Sequence, residues 1–105
     1  MSVKKQFLKS EPVCKVTFRF EKETGKPFQS ASVVGDFNGW NAEAHPMSKL
    51  KKDGSFSLVA EIPTGSVYQF RYVLDGNTWV NDNEADGFVS SPYADSQNGL
   101  LDLTK

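Results

Sequence analysis

Five acidic residues, Asp36, Asp75, Asp82, Glu84 and Asp86, are the side chains best suited to work as a paired acid and base. Hydrolysis of a glycosidic bond needs two such carboxylates a few ångströms apart, one to protonate the leaving oxygen and one to act as base or nucleophile. Asp36 and Asp75 each stand at the end of a predicted strand beside turn residues, where an Asp side chain accepts hydrogen bonds from nearby backbone N–H groups. Turn chemistry accounts for both, and the expectation is that this chain is not an enzyme. A nucleophile would need a base beside it. His45 is the single histidine, flanked by Ala44 and Pro46 without a motif. Cys14 is the single cysteine, set in a strand pattern and expected to be a buried, inert thiol. One Cys and one His fall short of a four-ligand zinc site. The segment from Asp82 to Gly87 copies the opening of a calcium loop, yet its twelfth position is Tyr93, where a bidentate Glu is required. No metal and no cofactor is expected.

The aromatic residues are more informative. Trp40 and Trp79 are the two tryptophans, and each follows a turn signal, Asn38-Gly39 before one and Gly76-Asn77 before the other. A tryptophan ordinarily anchors a core. In the stretch from Thr78 to Asn81, however, an inward Val80 turns Trp79 outward by strand alternation. An exposed indole offers a flat apolar face with an N–H at its edge, which suits the C–H face of a sugar ring. Asn98, Asn81, Gln69 and Arg71 carry amide and guanidinium groups able to read hydroxyls, and they serve equally as ordinary strand exteriors.

The elements that must position these residues are strands. Cys14, Val16, Phe18 and Phe20 alternate with Lys15, Thr17 and Arg19; Phe56, Leu58, Ala60 and Ile62 repeat with period two; Tyr68, Phe70, Tyr72 and Leu74 alternate with Gln69, Arg71 and Val73. Further strands are expected over 30–37, 47–51, 78–81 and 100–103. Asn38-Gly39, Asp53-Gly54 and Asp75-Gly76 mark turns, the latter two closing hairpins. A polar loop is expected over 82–99, and no stretch shows a useful helical period. About seven short strands between turns predict an all-β fold, an antiparallel immunoglobulin-like β-sandwich.

At 105 residues the chain has the size of one domain. Residues 1–12, rich in Lys and ending at Pro12, read as an N-terminal arm, flexible or an edge strand, ahead of a sandwich over 13–105. The net charge of -1 lacks the basic field that holds phosphate backbones, so nucleic acid is not an expected partner. The charge is unevenly spread. Residues 1–52 carry ten Lys/Arg against five Asp/Glu, and residues 53–105 carry two against eight. With no apolar stretch long enough for a signal peptide or a bilayer span, no membrane partner is expected and the expected location is cytoplasmic.

Val34-Gly35-Asp36-Phe37-Asn38-Gly39-Trp40, followed by Tyr68-Gln69-Phe70-Arg71-Tyr72-Val73-Leu74-Asp75-Gly76 and then Trp79, resembles the family 48 carbohydrate-binding modules. That family includes the isoamylase early-set domain and the glycogen-binding domain of the AMP-activated protein kinase β subunit. The resemblance spans roughly residues 13 to 103. It implies an immunoglobulin-like sandwich that binds α-1,4-glucans such as glycogen, starch or a maltooligosaccharide on tryptophans matching Trp40 and Trp79. Arg71 matches the family's basic residue in the strand before the second tryptophan. The polar contacts from the loop before the last strand fall on Ser96 and Asn98, and Asn81 is a further candidate. Two departures stand out: Asn77 and Thr78 lengthen the hairpin before Trp79 by one residue, and the leucine that grips the glucan is replaced near Tyr93 and Ala94. The alternative is a protein-interaction module of the same early-set fold, associated with a glycogen-metabolising enzyme and without sugar affinity of its own.

Overall fold

Alternation decides the strands, because a strand with one buried face places every second side chain in the core. In the computed structural model, which describes residues 2–25, 27–90 and 97–104, this is plainest in Val13–Phe20, where Cys14, Val16, Phe18 and Phe20 are buried and Lys15 and Arg19 are exposed. The strands are β1 (Ser2–Phe7), β2 (Val13–Phe20), β3 (Ala31–Gly35), β4 (Ser48–Lys49), β5 (Phe56–Pro63), β6 (Val67–Leu74), β7 (Thr78–Val80), β8 (Phe88–Ser90) and β9 (Gln97–Asp102). One helical turn, α1 (Lys22–Gly25), follows β2, and a 3-10 turn over Asp36–Asn38 follows β3.

Among the described residues, the nine strands form two antiparallel sheets. The first runs β1-β2-β5-β4 and the second β3-β6-β9-β8, with β7 paired to the C-terminal part of β6. All-β character and the two-sheet sandwich are as the sequence pattern predicts. Nine strands replace the expected seven or so, because Ser2–Phe7 forms edge strand β1 and Phe88–Ser90 forms β8 inside the stretch read as a polar loop. The strand expected over 30–37 ends at Gly35, where the chain tightens into the 3-10 turn. None of the described helices is long and apolar enough to cross a membrane.

An aromatic cluster joins the sheets. Phe18 of β2 lies 5.7 Å from Phe70 and 6.1 Å from Tyr72 of β6, ring centroid to centroid, and Phe20 lies 4.6 Å from Tyr72 in an edge-to-face arrangement. Such pairs add about 0.5–1.5 kcal/mol each beyond the apolar area they bury. Phe37, carried by the 3-10 turn, closes one end of the core against Phe18, Tyr68 and His45. The core face of β6 is thereby fixed by Phe70, Tyr72 and Leu74, so Gln69, Arg71 and Val73 occupy its outer face.

Candidate functional site

Directly paired residues of neighbouring strands share a face. On the outer face of the second sheet, Val34 of β3 stands opposite Arg71 of β6, and Ser32 opposite Val73. Val73 in turn stands opposite Trp79 of β7, and Gln69 opposite Leu100 of β9. Val89 of β8 and Asn98 of β9 complete the row. Val34 and Val73 are buried although they point away from the core, so the side chains of this face are themselves packed over an apolar floor. Trp79 is 47% exposed while Val80 packs against the core, the orientation that alternation predicts.

β7 and β9 lie end to end along one edge of β6, and β3 lies along the other. Arg71 falls at the junction, between the last pair of one ladder, Tyr72 with Val80, and the last of the other, Phe70 with Gly99. Its Nε–H donates to Asn98 Oδ1 at 2.7 Å, and Asn98 Nδ2 donates to Gln69 Oε1 at 2.9 Å. The three side chains form one polar row, with Asn98 only 6% exposed. Across the junction, Asn81 Nδ2 donates to the Gln97 carbonyl at 2.9 Å. Among the described residues, Arg71 Nη2 and Asn81 Oδ1 are buried with no partner, a donor and an acceptor at this strand junction. Unpaired buried polar atoms are uncommon and costly, which makes this the point on the face best prepared for an added polar group.

Trp40 reaches the site by another route. Gly35 is extended and so close to β6 that a Cβ there would lie 2.6 Å from the Gln69 carbonyl oxygen and 2.8 Å from Phe37. Asn38 then ties the turn together. Its Oδ1 accepts from the N–H of Gly35 and of Trp40, both at 3.1 Å, and its Nδ2 donates to the Val33 carbonyl at 3.0 Å. The same Nδ2 lies 2.8 Å from His45 Nδ1, which makes that ring nitrogen the acceptor. Gly39 and Trp40 are both left-handed, with φ of 66° and 60°. A left-handed non-glycine residue costs about 1–2 kcal/mol, so the surrounding hydrogen bonds over-determine Trp40. Its indole Nε1–H donates to Asp36 Oδ1 at 3.0 Å, while Asp36 Oδ2 accepts from Gln69 N–H at 2.9 Å.

Both indoles are therefore attached to β6, one through Asp36 at Gln69 and the other through pairing at Val73. Four residues of strand separate the two attachment points, about 13 Å. Arg71 lies midway. Of the residues singled out from the sequence, Trp79, Arg71 and Asn98 share the outer face, Asn81 sits at its strand junction and Trp40 is tied to β6 through Asp36; Ser96, like Tyr93 and Ala94, lies outside the described residues.

Asp36, Asp75, Asp82 and Asp86 are already engaged. Asp75 Oδ1 accepts from the N–H groups of Gln29 and Ser30 at 2.8 and 3.1 Å, tying the turn that bears Trp79 to the segment before β3. Asp82, fully buried, accepts from the Tyr72 hydroxyl at 2.7 Å and from Glu84 N–H at 2.8 Å. Asp86 pairs with Lys5 of β1 and accepts from Asp102 N–H. Asp36 and Asp75 thus hold residues far away in the chain, where sequence reasoning assigned them local turn bonds. Among the described residues, no group of three His, Cys, Asp or Glu side chains is arranged to hold a metal ion.

Comparison with known proteins gives the family of the chain. Residues 28–94, more than half of the chain, match carbohydrate-binding module 48, the isoamylase N-terminal domain. The chain is also similar to 1,4-alpha-glucan branching enzymes. It is 48% identical over 40 residues to that of Dechloromonas aromatica, covering 37% of this chain and 6% of the enzyme. With the Desulfitobacterium hafniense enzyme the identity is 40% over 67 residues, covering 63% and 10%, and with that of Myxococcus xanthus it is 39% over 59 residues, covering 55% and 8%. The chain thus matches no more than a tenth of the length of these relatives.

Proposed function

The chain belongs to the carbohydrate-binding module 48 family, and from that membership we propose that it is a non-catalytic module for α-1,4-glucans, with glycogen, starch or maltooligosaccharide as ligand. Sugar rings stack on Trp40 and Trp79, while Arg71, Asn98, Asn81 and Ser96 hydrogen-bond hydroxyls. The observation that carries this reading is the exposed Trp79 on the same packed face as the Arg71–Asn98–Gln69 row, with two unpartnered polar atoms beside it. The names of the relatives, enzymes acting on 1,4-alpha-glucan, support the ligand class. The engagement of Asp36, Asp75, Asp82 and Asp86 in structural hydrogen bonds supports a binding role over a catalytic one.

Affinity is expected to be modest. A shallow, open face gains little per ring after the cost of ordering a flexible chain. The direct test is tryptophan emission during titration with soluble glycogen. A saturable change, lost in Trp40→Ala and Trp79→Ala proteins that still fold, is expected. No change at millimolar glucose equivalents would favour a protein-interaction role for the same fold.

A further inference from the structure

The two indoles on this surface are not equivalent. Trp79 projects from a paired strand, and its indole N–H makes no hydrogen bond to any other described residue. Trp40 has its N–H occupied by Asp36. Asp36 acts from an unusual place. β3 ends at Gly35, opposite Phe70, and the next inward donor of β6, the Gln69 N–H, meets the Asp36 carboxylate instead of a strand carbonyl. One carboxylate therefore extends the β3–β6 ladder through Oδ2 and holds the indole through Oδ1. The first bond fixes the carboxylate to the sheet, and the second fixes the ring to the carboxylate. Charge-assisted bonds of this kind are stronger than those between neutral groups.

We infer that Asp36 is a positioning residue for sugar binding at Trp40. It sets the tilt of the indole relative to β6 and withdraws its N–H from hydroxyl recognition, so that Trp40 presents its ring face alone. Hydroxyls at that end of the platform are left to other side chains, and Trp79 is the indole that keeps an N–H for the ligand. This assignment rests on the reading of the outer face as a glucan platform. Its energetic basis is preorganisation: a ring already ordered in the free protein does not have to be ordered on binding.

The test uses the two indole N–H resonances of the uniformly nitrogen-15-labelled protein, with maltoheptaose as probe. The Trp40 resonance is the one that remains in Trp79→Phe. It is expected to exchange with solvent more slowly than the Trp79 resonance. Asp36→Ala should remove that protection and weaken maltoheptaose binding about two- to tenfold, the effect of one newly mobile side chain. Asp36→Asn keeps one acceptor where the carboxylate has two, so it serves the ring or the Gln69 N–H but not both, and should recover only part of the protection and the affinity. If loss of the Gln69 contact prevents Asp36→Ala from folding, Asp36→Asn is measured alone and in the Trp40→Phe background; its effect on binding should shrink where no indole N–H remains. Equal exchange at the two indoles, or an Asp36→Ala protein with a freed N–H and unchanged affinity, overturns the assignment. A wild-type protein that does not bind maltoheptaose defeats the glucan reading instead, and the exchange rates still decide whether Asp36 holds the ring.

Discussion

Arg71 Nε–H donates to Asn98 Oδ1 at 2.7 Å across a separation of 27 residues, joining the middle of β6 to the start of β9. Asn98 also donates to Gln69, so one nearly buried amide orders two neighbouring side chains of the outer face. Asn98→Ala leaves Arg71 Nε and Gln69 Oε1 without these partners. It is expected to cost about 1–3 kcal/mol of stability, the penalty of unpaired buried polar groups. Glucan affinity should fall as well, because the Arg71 head is no longer held. Urea unfolding and a maltoheptaose titration of the same variant check the two halves. Asn98→Asp, which keeps an acceptor for Arg71, should retain more affinity than Asn98→Ala.

Tyr72 and Asp82 make the corresponding link inside the core, hydroxyl to carboxylate at 2.7 Å. Tyr72→Phe removes a donor from a fully buried carboxylate and should destabilise the fold by about 1–3 kcal/mol. Burial, with the Asp82 charge second, pushes the Tyr72 phenol far above its usual range. The folded state holds the neutral phenol and the unfolded chain ionises near pH 10, so this contribution is complete below about pH 10 and is lost as pH rises beyond it. Unfolding free energy measured from pH 8 to pH 11 should fall more steeply for the wild type than for Tyr72→Phe.

Gly35 leaves no space for a side chain. A Cβ would lie 2.6 Å from a backbone oxygen of β6, which cannot swing aside as a flexible side chain does. Gly35→Ala should therefore cost at least the roughly 1–3 kcal/mol of an overpacked core position. It should also displace the 3-10 turn that bears Trp40. A melting temperature within a degree of wild type would show that the β3–β6 approach leaves room for a Cβ.

Asp75 holds φ at 53° and accepts from two backbone N–H groups before β3. Asp75→Asn keeps an acceptor and tolerates the left-handed backbone, so a loss below about 1 kcal/mol is expected, against roughly 1–2 kcal/mol for Asp75→Ala, which fails on both counts. Thermal melts of the pair distinguish the side-chain contribution from turn geometry alone.

The legible parts of the fold were those where one face is buried and the other wet. β2, β5 and β6 declare themselves through Phe, Val, Ile and Leu at every second position. β8 does not, because it has three residues, an exposed Phe88, and support mainly from backbone pairing with β9. β1 hides its alternation by turning Lys5 toward Asp86 between Val3 and Phe7, an inward charge of the sort that protects a sheet edge from pairing with another chain. α1 is one turn, too short for a helical period to register. At the site, the outward turn of Trp79 follows from Val80. The roles of Asp36 and Asp75 were not readable, since a turn-forming Asp looks the same in sequence whether it bonds its neighbour or a segment 33 or 46 residues away.

A glucan ligand should meet the outer face of the second sheet, over Arg71 between Trp40 and Trp79. Nitrogen-15 chemical-shift mapping with maltoheptaose measures this directly. The predicted result is a set of saturable shifts concentrated at Trp40, Gln69, Arg71, Trp79, Asn81 and Asn98, with the outer face of the first sheet, marked by Lys15, Thr17 and Val59, unmoved. Shifts centred on Lys15, Thr17 and Val59, or no shifts while the protein remains folded, would contradict it.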